Sequence, residues 1–180
     1  MNAQTHDLRF GGAMLQRGFW LYVWEITIPG GANVYYVGRT GDSASPYAQS
    51  PFNRMSEHLG SNENSNVLRR HLKKRGFEPE ECQFRLVAHG PIESEAQGDT
   101  HRTARHNKRR DRVAAMEKEL SLAMGRAGYE MINTVACRKL VDPDAFAVVL
   151  AAFAEKLPQL RSLFHRVDPP AGAPSDRPAR

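Results

Sequence analysis

Phe19-Trp20-Leu21-Tyr22-Val23-Trp24-Glu25-Ile26-Thr27-Ile28 is a run of β-branched and aromatic residues, a composition that suits a packed, pleated strand. Pro29-Gly30-Gly31 breaks the run, and Val34-Tyr35-Tyr36-Val37-Gly38 resumes it. Two such runs around a glycine-containing break predict a β-hairpin. With residues 29–31 as a three-residue loop and Gly31 left-handed, Ile28 faces Ala32, Trp24 faces Tyr36 and Tyr22 faces Gly38. Paired residues share a face, so Tyr22 and Tyr36 become diagonal neighbours, about 7–8 Å apart at the backbone. Gly38, without a side chain, leaves room beside Tyr22. An odd change of loop length would send the tyrosines to opposite faces.

Working outward, residues 41–51 are rich in turn formers, and Ser50-Pro51 reads as a cap and first residue of a helix carrying Arg54 and His58. Gly60 should end it. A second helix is expected from about 66 to 75, with Val67, Leu68 and Leu72 as its apolar stripe and Gly76 as its stop. Phe84-Arg85-Leu86-Val87-Ala88 reads as a third strand. From about residue 100, Val113, Met116, Leu120, Ala123, Met124 and Ala127 recur at helical spacing, and Gly125 and Gly128 mark the end. Asp142-Pro143 opens a last helix with Phe146, Val149, Leu150, Phe153, Leu157, Leu160 and Phe164 on one side, which Pro158 should kink.

These elements predict an α+β fold, a small central three-stranded antiparallel sheet flanked by helices, plus a C-terminal helix. The chain divides into a flexible arm (1–16), the domain (17–140), a helical extension (141–166) and a disordered tail (167–180). The extension is read as a cover for the domain, with a homodimer contact as the second reading. Trp24 is assigned to the core in preference to base stacking, and Asn133 to tying the loop after the third helix to the sheet.

The 180 residues are 41% hydrophobic and 25% charged, ordinary for a globular protein with one real core. No apolar run approaches the ~20 residues that span a bilayer, and the first residues lack a secretory pattern. A cytoplasmic protein with no membrane partner is expected. Two cysteines, Cys82 and Cys137, do not make a disulfide framework and read as buried thiols. The net charge of +5 matters less than its distribution. Arg69, Arg70, Lys73, Lys74 and Arg75 form one cluster, and Arg102, Arg105, Lys108, Arg109, Arg110 and Arg112 a second. A solvated helix face explains either alone; two together favour a phosphate backbone as partner. Arg69, Arg70, Lys73, Lys74, Arg105, Lys108 and Arg109 are the candidate contacts. His71, His101 and His106 read as polar surface residues within the clusters.

Phosphate loops, serine elbows and His-Glu-x-x-His zinc helices are absent. What remains is the tyrosine pair with Arg54 and His58, one turn apart on one helix face. Arginine offers a planar fork to phosphate oxygens and histidine moves protons near neutrality. Glu117 and Glu119 flank the apolar stripe of their helix about equally, and periodicity does not separate them.

In order, Trp20-Leu21-Tyr22, Tyr36-Val37-Gly38, Arg54-x-x-x-His58, Glu117-x-x-Leu120 and Ile132-Asn133 resemble the GIY-YIG nuclease family over roughly residues 18–135. The chain departs from the pattern at Trp20 and Leu21, where the family name spells Gly and Ile, and the interval from Glu117 to Asn133 is longer than usual. The resemblance implies a DNA endonuclease with catalytic Tyr22, Tyr36, Arg54, His58 and Glu117. Glu117, favoured over Glu119 by the Glu-x-x-Leu spacing, would hold one Mg²⁺ or Mn²⁺. Tyr22 would position or deprotonate the attacking water, His58 would share that proton, and Arg54 would neutralise the phosphate. Arg39 is a further phosphate contact. The alternative is a catalytically inactive nucleic-acid-binding module of the same fold; an RNA- or protein-binding adaptor rests on charge alone.

Overall fold

The hairpin forms in the register its sequence predicts. In the computed structural model, which describes residues 3, 5–42, 47–62, 66–96 and 102–164, β1 (Phe19–Thr27) pairs antiparallel with β2 (Asn33–Arg39). Trp24 faces Tyr36 and Tyr22 faces Gly38. The Ile28 amide donates to Ala32 O at 2.9 Å, closing the loop, in which both Gly30 (φ +96°) and Gly31 (φ +87°) take left-handed backbone. β3 (Gln83–Glu93) lies on the other side of β1, so the antiparallel sheet has the order β2-β1-β3. β3 is longer than the apolar run Phe84–Ala88 suggests, because β1 offers pairing partners from Phe19 to Thr27. The pairing is irregular between Phe19 and Leu21, opposite the His89-Gly90-Pro91 stretch whose composition hides the strand.

Helices cover both faces of this sheet. On one, Tyr22, Trp24, Ile26, Val34 and Tyr36 meet Met55 and Leu59 of α1 (Pro51–Leu59) and Leu68 and Leu72 of α2 (Val67–Lys74). On the other, Leu21, Val23, Tyr35 and Val37 meet Val113, Met116, Leu120 and Met124 of α3 (Arg102–Arg126). A strand buried on both sides gains from apolar residues at every position, hence the unbroken run in β1 instead of an alternation. Trp24 is a core residue, edge-on to Phe84 with ring centroids 6.0 Å apart.

Local chemistry sets the helix ends. The Ser50 hydroxyl accepts from the Asn53 amide at 3.2 Å, with Pro51 at the first helical position of α1. Gly76 (φ +79°) follows α2, and the Phe77 amide returns to Leu72 O at 3.1 Å. α4 (Pro143–Lys156) stops before Pro158 instead of bending there. Leu157 is pushed to φ −127°, ψ 82°, and a 3-10 turn, Pro158–Leu163, continues the chain. Val149, Phe153, Leu157 and Leu160 join the same buried cluster as Leu21 and Val23, so α4 builds this core rather than lying over it.

Residues 130–133 line the outer edge of β2. The Tyr35 amide donates to Glu130 O and the Ile132 amide to Tyr35 O, both at 2.8 Å. The Asn133 side chain completes the edge, accepting from the Val37 amide at 3.1 Å and donating to Val37 O at 2.8 Å. This is the tie expected of Asn133. In the N-terminal segment, a 3-10 turn at Gly12–Leu15 contacts α1 and the Phe10 ring lies 4.9 Å from Phe52. The expected disordered tail (167–180) and His101 lie outside the described residues. No helix among the described residues is long and apolar enough to cross a membrane. Cys82 and Cys137 are free and half-buried, not fully buried as the composition suggests.

Candidate active site

Tyr22 and Tyr36 project from the α1 side of the sheet, and α1 delivers Arg54 and His58 to them one turn apart. The Tyr22 hydroxyl lies 2.6 Å from His58 Nε2. The His58 ring stands edge-on to both tyrosines, with centroids 5.6 Å from Tyr22 and 5.2 Å from Tyr36. All three side chains are almost wholly buried. Gly38 makes the arrangement possible. A Cβ at that position would stand 2.5 Å from the Tyr22 hydroxyl, so the room the glycine leaves is filled by the tyrosine itself.

Burial decides the protonation of this group. It pushes the Tyr22 phenol well above its usual range, with the neighbouring Tyr36 adding to the rise and Arg54 opposing it. It raises Tyr36 to about 12, with Glu117 contributing in the same direction. It lowers His58 to about 3, helped by the Arg54 charge. The resting pair is therefore neutral, with Tyr22 O–H donating to His58 Nε2. The ring proton is then on Nδ1, which is buried without a partner among the described residues.

Two arginines and three carboxylates frame the tyrosines. Arg54 donates from Nη1 to Glu57 Oε2 at 2.7 Å and from Nη2 to Asp42 Oδ2. Gln49 steadies Glu57 through Nε2 at 2.6 Å. Across the site, Arg39 Nε donates to Glu117 Oε2 at 2.7 Å. Burial lifts the Glu117 carboxyl to about 7 although Arg39 pulls it down. Asp42 adds to that rise, and the fields of Glu117 and Arg54 both reach Tyr22 and Tyr36. All five expected residues thus share one electrostatic neighbourhood.

Glu117 faces this group; among the described residues Glu119 forms no hydrogen bond or ion pair with it. Arg39, the expected phosphate contact, pairs with Glu117, and its Nη1 is buried and unpartnered among the described residues. Sequence reasoning missed Asp42, Glu57 and Gln49. Only Glu57 carried a signal, its i+3 spacing from Arg54. Asp42 sits in a turn-rich segment with nothing to mark it. His71 and His106 also differ from the polar-surface reading. His71 brings its ring to 5.9 Å from Tyr36, and His106 is fully buried, 5.1 Å from the Phe19 ring.

Among the described residues, no group of three or more His, Cys, Asp or Glu side chains could hold a metal ion. A fully protein-built metal cage is thus not what this donor set offers. A single carboxylate holds Mg²⁺ or Mn²⁺ only where other oxygen ligands complete the coordination, and Oε2 of Glu117 is engaged by Arg39.

The expected basic contacts divide by partner. Arg69 pairs with Glu80, Lys73 approaches Glu78 at 3.8 Å and Arg75 binds Glu130 at 2.8 Å. In the second cluster, Arg109 donates to Ser94 O at 2.6 Å and lies 3.8 Å from Glu93, which also takes Arg112 at 2.7 Å. Arg105 and Lys108 line a cleft with Arg109, Arg112 and Glu93.

Fold and site together define an α+β domain with a buried tyrosine–histidine pair framed by arginine–carboxylate pairs. Neither family models, nor curated proteins, nor solved structures provide a match to this chain.

Proposed function

We propose that this protein is a metal-dependent endonuclease that hydrolyses DNA phosphodiester bonds at the Tyr22, Tyr36, Arg54, His58 and Glu117 site. The observation that carries the reading is the Tyr22 hydroxyl on His58 Nε2, 2.6 Å away, with Arg54 and Glu117 acting on the same tyrosines. The motif order, which resembles the GIY-YIG nucleases, supports the same reading, and a cytoplasmic location accords with it.

Phosphodiester hydrolysis needs a placed water and compensation of charge on the phosphate. Tyr22 orients the water through its hydroxyl and, as it takes the water's proton, passes its own to His58 Nε2. Burial holds both groups neutral and the Arg54 charge opposes a proton on His58, so the transfer draws on the negative charge that a bound phosphate would bring to the site. Arg54 would neutralise that phosphate, whose oxygen would displace Asp42 from the guanidinium fork to reach it. Glu117 would hold Mg²⁺ or Mn²⁺, whose contribution when bound is Lewis-acid stabilisation of the phosphate and leaving oxygen. Tyr36 shapes the pocket around His58 and helps orient water or phosphate.

A catalytically inactive nucleic-acid-binding module is the second reading, favoured by the engagement of both Arg54 terminal nitrogens and of Glu117 within the protein. A plasmid-nicking assay with Mg²⁺ or Mn²⁺ separates the two. Wild type is expected to nick the plasmid, and Tyr22→Phe to lose roughly 10²–10⁴-fold in rate, as for removal of an acid–base group. Glu117→Ala is expected to be inactive. Equal cleavage by all three proteins refutes the site, and binding without cleavage by wild type favours the module.

A further inference from the structure

Helix α2 carries its cations on two different sides. Leu68 and Leu72 point into the core. Arg69 and Lys73, four residues apart, turn to one flank, where Glu80 and Glu78 answer them. Val67, Arg70, His71 and Lys74, at spacings of three and four, form the other flank and line a shallow cleft of about 140 Å³. Among the described residues the side chains of Arg70 and Lys74 have no ion-pair or hydrogen-bond partner, and both residues are exposed. The cleft adjoins the candidate site, because His71, between the two cations, reaches the Tyr36 ring at 5.9 Å. In the α3 cluster most arginines are held, Arg109 and Arg112 by Glu93, Arg110 by Asp111 and Arg102 at 3.8 Å from Glu95.

We propose that Arg70 and Lys74 form a backbone clamp for DNA at the margin of the Tyr36 site, each binding a phosphate beside the scissile one. The inference rests on the nuclease reading for its choice of polyanion and adds the path by which the strand reaches the tyrosines. The unmatched flank of α2 is directed to the edge of the site, whereas the matched flank serves the fold. One turn of helix separates the two cations, about 6 Å along the axis. Phosphate contacts of this kind position a strand without reading its sequence.

Binding of a short fluorescein-labelled DNA duplex, followed by anisotropy in EDTA across a salt series, tests the clamp without requiring cleavage. Arg70→Ala/Lys74→Ala and Arg69→Ala/Lys73→Ala remove the same charge from the same helix, and circular dichroism checks that both fold. The first pair is expected to flatten the slope of log K against log salt by about 1.8, from ~0.9 per phosphate contact, with similar loss on unrelated sequences. The second pair is expected to keep the wild-type slope. Equal flattening in both pairs, or none in the first, overturns the clamp while leaving the nuclease reading to the nicking assay. Absence of duplex binding by wild type overturns it too. Plasmid nicking by that same wild type would then show that the clamp alone has failed.

Discussion

His58 is buried as a neutral ring, and this has a thermodynamic sign. In the unfolded chain it takes up a proton near pH 6.5, whereas in the folded protein it resists until about 3. Its contribution to stability is complete above pH 6.5 and is lost as pH falls through that window, because the unfolded state then binds more protons. Glu117 works in the opposite sense, holding a proton from its unfolded value of 4.5 up to about 7. Its contribution is present below 4.5 and lost as pH rises through 7. Urea denaturation of His58→Gln is therefore expected to show a shallower loss of stability below pH 6.5 than wild type; an unchanged slope counts against the buried neutral histidine. Gly38 gives a second residue-scale test. Alanine there would drive a methyl into the Tyr22 ring, and overpacking of this kind costs about 1–3 kcal/mol. Gly38→Ala is expected to lower the denaturation midpoint and, by displacing the hydroxyl from His58, to reduce nicking as well.

Among the elements, the edge of β2 depends on one side chain. Asn133 replaces a strand partner for both polar groups of the Val37 backbone. Asn133→Ala leaves that amide and carbonyl without protein partners, and a loss of about 1–3 kcal/mol is expected in urea denaturation, with Asn133→Asp recovering only the acceptor half. This scale also shows what the sequence allowed to be read. The hairpin was legible to the residue, since an aromatic run, a Pro-Gly-Gly break and a required left-handed position leave one register. The ends of α1 and α2 were legible from Ser50, Pro51 and Gly76. The far half of β3 was not, because Gly90 and Pro91 read as breakers and only pairing with β1 holds them extended. Within the site, Arg54 and His58 followed from helical spacing. Asp42 did not, because its role depends on where Arg54 arrives from another element. Glu117 was separable from Glu119 only by a motif, since a helical wheel does not reveal that Arg39 approaches one side of α3.

For the whole molecule, the defining feature is one buried cluster shared by the first strand and the last helix. Phe153 and Leu157 pack in the same cluster as Phe19 and Leu21, although more than half the chain lies between them. Phe153→Ala is expected to destabilise the entire domain by about 3–5 kcal/mol, visible as a single shifted transition. If residues 141–164 were a separable cover, the loss would instead appear as a minor early step. The exposed neighbour Val148 serves as a control, and Val148→Ala should change little. The same arrangement has a consequence for biosynthesis. A ribosome that has translated only the first 140 residues has already produced both tyrosines, Arg54, His58 and Glu117, yet the sheet face that packs against α3 still lacks its last apolar layer. Completion of the fold must wait until Leu160 clears the exit tunnel, so a chain cut short before then carries every candidate catalytic side chain without the scaffold that aligns them.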